Sequence, residues 1–143
     1  MKDKRFVIQE HQRPEGVHWD LMLEETNEVS HVLTTFRLAE PPERVLRHRV
    51  GAERIFDHPL RFLWYEGPVQ NGTGRVRIVD RGTWRRVQAR DCGLAIWDCG
   101  FESRRQSAIG LVFDGTMLQG VFTLTRLSET EWRFERRRNA PGA

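Results

Sequence analysis

Apolar and polar residues alternate with period two along much of this 143-residue chain, the pattern of strands that bury one face. The clearest stretch is HQRPEGVHWDLMLE, residues 11–24, where Val17, Trp19, Leu21 and Leu23 alternate with His18, Asp20, Met22 and Glu24. The apolar set is expected to turn to a core and the other set to face solvent. Residues 5–10 form a preceding strand, with Pro14 and Gly16 marking the turn between the two. A third strand covers 29–38 after a turn at 25–28. Pro41 and Pro42 then break the pattern, and 44–50 reads as a short helix or as irregular chain. Residues 54–57 and 61–65 are short extended pieces around His58 and Pro59. The stretch GPVQNGTG at 67–74 is a loop, 75–80 a strand, and 81–84 a turn leading on. A further strand is expected at 94–97. Asp114 and Gly115 supply a tight turn between strands at 107–113 and 116–127, and a last strand at 132–136 runs into a polar tail. Many short strands with regular turn signals point to an all-β barrel or sandwich. No linker, repeat or low-complexity block divides the chain, so residues 1–143 read as one domain, with a core over about 5–135 and a tail at 136–143.

Composition narrows the function classes. Apolar residues make up 38% of the chain, and no apolar run reaches membrane length. The polar start, MKDKRFVIQEH, lacks the pattern of a signal peptide, so a cytoplasmic protein with no membrane partner is expected. Cys92 and Cys99 are expected to be reduced and structural, without a zinc site, because no histidine lies near them in sequence. The net charge is +3, and Lys2 and Lys4 are the sole lysines among 23 basic residues. An arginine-rich composition follows from coding bias as readily as from phosphate binding, where guanidinium forks grip phosphate oxygens. Charge alone does not choose between them.

The strand pattern itself offers chemistry. His18 and Asp20 share a face, two positions or about 7 Å apart along a strand. If 5–10 pairs back against 17–24, His11 lands beside them. Two imidazoles and one carboxylate then form a candidate site for a first-row divalent ion with open coordination positions. Other features carry plainer readings. His31 and His48 read as surface histidines, and His58, taken by itself, as a turn residue before Pro59. Trp19, Trp64, Trp84, Trp97 and Trp132 read as core rather than as base-stacking surfaces. Arg85, Arg86 and Arg136 to Arg138 read as solvated faces. GPVQNGTG has neither dinucleotide-fold glycine spacing nor a P-loop lysine, and reads as a connecting loop.

The order FVIQEH, HWDLMLE, DHPL, GTGRVRIVDRGTW and GLVFDGTMLQGVFTLTR resembles one family, the 3'-phosphoesterase module of bacterial ligase D, which also occurs free-standing. The likeness runs over about residues 5–132. It implies a compact β-barrel with short helical or irregular segments, and manganese or a similar divalent metal as cofactor. It also implies removal of 3'-phosphate or 3'-ribonucleoside ends from DNA for end joining. The family's metal ligands fall on His11, His18 and Asp20, and its phosphate-binding histidine on His58. Catalysis would rest on His58 and His18. Two family positions differ: an arginine is Met22 here, and a tyrosine is Phe62. Substrate binding would then involve Met22, Phe62 and Arg61, with Arg13 and Arg37 as further candidates for the missing cation. The partners implied are DNA 3' ends on a primer-template and a separate ligase or polymerase, with the protein itself a monomer. The alternative is a non-catalytic module that binds DNA ends or a repair partner.

Overall fold

The computed structural model describes residues 4–25, 32–88 and 108–137. Among the described residues, nine strands form one antiparallel sheet: β1 (Lys4–Arg13), β2 (Gly16–Glu24), β3 (Val32–Leu38), β4 (Val50–Pro59), β5 (Gly67–Val69), β6 (Gly74–Arg86), β7 (Ala108–Gly115), β8 (Gln119–Arg126) and β9 (Glu131–Arg136). Their order is β1-β2-β3-β4-β9-β8-β7-β6-β5, and β6 also pairs with β1, so the sheet closes into a ring. Closure leaves β1 with a partner on each edge. Short 3-10 turns at Pro42–Leu46, Leu60–Leu63 and Gln70–Gly72 are the helical pieces among the described residues. None of the helices is long and apolar enough to cross a membrane.

Alternation sends successive side chains of each strand to opposite faces, and here both faces are buried. Phe6 and Ile8 of β1, Leu21 and Leu23 of β2, and Phe36 and Leu38 of β3 meet Trp84, Phe113, Phe122 and Phe134 in the main core. Val7, Met22, Leu33 and Val76, from the other face, pack with Phe62 and Leu63 in a second cluster. The segment from the end of β4 through β5 covers this outer face. The expectation that His18, Asp20 and Met22 look out to solvent is therefore corrected: Met22 is 1% exposed and Asp20 2%. Period two shows that two faces exist; it does not show whether the second one is roofed. Val17 departs in the opposite sense and is 41% exposed, because it sits at the end of the hairpin beyond the core.

Several element boundaries differ from the sequence reading. Residues 61–65 are not extended; Leu60–Leu63 is a 3-10 turn. Residues 81–84 are not a turn but the middle of β6, which continues past a register shift opposite Ile8 and Gln9. Trp84 is buried as expected, whereas Trp64 is 62% exposed. His48 is a surface residue bonded to Glu40. The expectations for residues 94–97, His31, Trp97, Cys92 and Cys99 lie outside the described residues.

One buried carboxylate ties β6 to the β7–β8 turn. Asp80 accepts the N–H groups of Arg81, Thr116, Met117 and Leu118 at 2.8–3.1 Å. Glycines let the chains approach there. A Cβ on Gly82 would lie 2.0 Å from the Asp114 carbonyl oxygen, and one on Gly115 would lie 2.6 Å from the Phe6 ring. These contacts account for the placement of Asp80, Gly82, Asp114 and Gly115 in VDRGTW and FDGT. Asp80→Asn puts an amide donor against those N–H groups and should cost on the order of 3 kcal/mol, read as a lower urea midpoint. Gly82→Ala should be at least as damaging, since backbone must move to admit the methyl group. A midpoint within experimental error of the parent for both variants would contradict this account.

Candidate active site

The covered outer face of β1, β2 and β3 ends in a cleft of about 700 Å³. His11, Asp20, Met22, His58, Arg61 and Phe62 all line it, together with Arg13 and Arg37. His18 is not among the lining residues, but it faces His11 directly across the β1–β2 ladder. The turn Arg13-Pro14-Glu15-Gly16 makes that pairing possible. Gly16 takes the positive φ of 146° needed to start β2.

The two imidazoles stand edge to face, with ring centroids 6.3 Å apart. His11 Nε2 and His18 Nδ1 are buried and have no hydrogen-bond partner. A buried orphan nitrogen is costly unless something fills its valence, so both fit a metal ligand in donor chemistry. Burial lowers the proton affinity of both rings, opposed by the Asp20 charge in each case. That leaves them in the neutral form that a metal requires. Asp20, however, is engaged: its Oδ1 lies 3.1 Å from Arg37 Nε. Among the described residues, no group of three or more His, Cys, Asp or Glu side chains is gathered closely enough to hold an ion.

His58 stands at the end of β4, where two neighbours fix its ring. Thr35 Oγ1 donates to the Leu33 carbonyl at 3.0 Å, which leaves it an acceptor toward His58 Nδ1, also at 3.0 Å. The Phe56 carbonyl, an acceptor alone, is 3.1 Å from the same nitrogen. Both contacts require the proton on Nδ1, so Nε2 carries the lone pair of the neutral ring. Burial lowers the pKa of His58, while Asp20 and the Phe56 carbonyl oppose the shift. Phe56 stacks on the ring at 4.9 Å and Phe62 meets it edge-on at 5.5 Å.

The three arginines differ in what holds them. Arg13 Nε lies 2.6 Å from Glu15 Oε1, and Arg37 is paired to Asp20. Arg61 has no carboxylate partner among the described residues; its guanidinium lies over the rings of Phe62 and Tyr65, at 5.2 and 5.9 Å. Met22, at the position where the family pattern has an arginine, is packed in the second apolar cluster. Burying such a side chain stabilises by roughly 2 kcal/mol. A cation there would lose that contribution and its own hydration. Phe62 has no hydroxyl, but the adjoining Tyr65 does, and it donates to the Pro68 carbonyl.

Other residues shape the cleft without having been singled out in the sequence. Gln9 is buried, and its amide donates to the Phe62 and Tyr65 carbonyls at 2.9 and 3.0 Å, fastening the covering turn to β1. Its spacing of two from His11 on one strand was the available signal. The stretch read as a plain connecting loop contributes β5 and a wall of the cleft through Gln70, Asn71 and Gly72. Gln70 and Asn71 hold positive φ, at 53° and 57°, a conformation that non-glycine residues seldom adopt and that clusters at functional sites.

An all-β ring with histidines and arginines gathered at a covered cleft defines a class suited to binding an anionic ester. The profile of the DNA ligase D 3'-phosphoesterase domain matches residues 9–126. The chain belongs to that family, whose chemistry is 3'-phosphoester cleavage in DNA repair. A search of curated proteins returned no match.

Stability should fall on acidification, because protonating His58 costs more in the folded chain than in the unfolded one. With the folded pKa below the ordinary 6.5, the unfolded state binds more protons as pH drops through that value. Stability is therefore full above about pH 6.5 and is lost below it. Urea midpoints measured from pH 7.5 to 5 should decline, and the decline should be shallower in His58→Asn. Equal slopes in both proteins would contradict the assignment.

Proposed function

We propose that this protein is a metal-dependent 3'-phosphoesterase that restores a 3'-hydroxyl on DNA ends, working beside a separate ligase or polymerase. The observation that carries the reading is the pairing, in one cleft, of His58, whose Nε2 carries the ring's lone pair, and Arg61, which has no carboxylate partner among the described residues. Family membership supplies the reaction class.

In this reading Arg61 holds phosphate oxygens, its guanidinium kept flat by the rings beneath it. The anion raises the proton affinity of His58, so Nε2 takes up a proton as substrate binds. On cleavage of the P–O3' bond, Nε2 gives that proton to the departing 3'-oxygen while water adds to phosphorus. The products are a 3'-hydroxyl and inorganic phosphate. Thr35 and the Phe56 carbonyl keep the imidazole oriented throughout. His11, His18 and Asp20 are the residues that would hold a Mn2+ ion, supported by the orphaned ring nitrogens. Such an ion, when bound, polarises a phosphoryl oxygen. Arg37 stands against Asp20, where it balances the carboxylate charge.

A second reading, a module that grips DNA ends without cleaving them, is favoured by one observation: Met22 is committed to apolar packing where the family pattern has a cation. A primer-template carrying a 3'-phosphate or a 3'-ribonucleotide, incubated with Mn2+, separates the two. Turnover is expected, with His58→Ala slower by about 100-fold or more and Arg61→Ala raising KM about tenfold, the worth of one charge-assisted bond. DNA binding without turnover in the parent protein would favour the second reading. Calorimetry should find one Mn2+ site that His18→Ala abolishes; unchanged binding in that variant would remove the metal assignment.

A further inference from the structure

Phe56 is the most exposed large apolar side chain among the described residues, at 73%. Three others are exposed, namely Val17, Trp64 and Leu127, and none of them lines the cleft. Phe56 does line it. Its ring is parallel to the His58 imidazole, with an interplanar angle of 12° and centroids 4.9 Å apart. The backbone of the same residue accepts the His58 Nδ1 proton. An unburied phenyl ring thus stands at the mouth of an anion site, in register with the group proposed to meet the phosphate.

We infer that Phe56 is a stacking platform for the terminal nucleobase, so that the site takes nucleotide-bearing 3' ends in preference to phosphoesters without a base. The inference rests on the phosphoesterase reading for its phosphate anchor. Bases stack on aromatic side chains irrespective of sequence because each base has a π-face. A ring that merely braced His58 would be better buried, since exposed apolar surface contributes nothing to the core. A base resting on Phe56 covers that surface while the attached phosphate stays within reach of His58 and Arg61. Discrimination then comes from the presence of a base, not from its identity.

Two 3'-phosphate primers test this, one ending in a normal nucleotide and one in an abasic tetrahydrofuran residue. The parent protein should prefer the base-bearing end by about tenfold in kcat/KM, the low to middle range of one base–aromatic stack. The preference should fall to near one in Phe56→Ala and persist in Phe56→Tyr and Phe56→Trp. Because the side chain is exposed, melting temperatures should match, which separates a binding effect from misfolding. A preference that survives in Phe56→Ala overturns the inference, as does a parent protein with no preference. A 2-aminopurine at the 3' end gives a readout independent of turnover. Its fluorescence should be quenched on binding the parent protein and not on binding Phe56→Ala. If no primer is cleaved but this quenching pattern holds, the phosphoesterase reading fails and the platform stands. If the quench is the same in both proteins, the platform fails.

Discussion

Strand β1 is hydrogen-bonded along both edges, to β2 on one side and β6 on the other, and most of the structure follows from that constraint. A strand paired on both sides has two usable faces and no free edge. Phe6 and Ile8 fill the interior of the ring from one face. Val7 and His11, with Gln9 between them, occupy the other. The strand that closes the sheet is therefore also the strand that carries the first candidate side chains of the cleft, Gln9 and His11. Asp80 secures the closure from the β6 side. A single carboxylate binding four backbone N–H groups orders the turn, and Leu118 of that turn is buried in the main core.

The outer face becomes a site because a second layer crosses it. The segment from the end of β4 through β5 brings Phe62, Leu63 and Val69 over Val7, Met22 and Val76. Gln9 fixes this layer at its centre through two carbonyls. Polar side chains that open sheet would leave in water are thereby drawn into a partly dry cleft, where electrostatic contacts strengthen and neutral histidine is favoured. The same layer delivers His58 and Arg61, so the cover and the chemistry arrive on one segment.

Charge in the cleft is arranged unevenly. Arg37 is matched by Asp20 and Arg13 by Glu15. Among the described residues Arg61 is matched by aromatic faces and by no carboxylate, and those faces hold a guanidinium without neutralising it. An incoming anion thus finds one uncompensated cation. Met22, two positions after the β2 carboxylate, is packed in the second apolar cluster, and the covering segment brings the Arg61 guanidinium to the cleft.

The class of fold was legible in the chain, since period-two alternation and turn residues mark strands whatever their neighbours. So were the β1–β2 hairpin and the meeting of His11 with His18, because a short turn after Pro14 fixes register locally. The motif order also pointed to the family. Other features depended on contacts between residues far apart in sequence. Alternation cannot distinguish a solvent-facing strand face from one covered by a distant segment, so the pattern alone assigns the buried Asp20 and Met22 to solvent. Residues 61–65 were read as extended, although the 3-10 turn there is held by Gln9, more than fifty positions away. The continuity of β6 through Gly82 depends on Asp114 lying against it. The proton on His58 Nδ1 is set by Thr35, which only the β3–β4 pairing brings near. Local chain chemistry determined which segments are strands and which side chains could react; the tertiary structure decided which of them are dry, paired or open, because those properties belong to what each side chain is packed against.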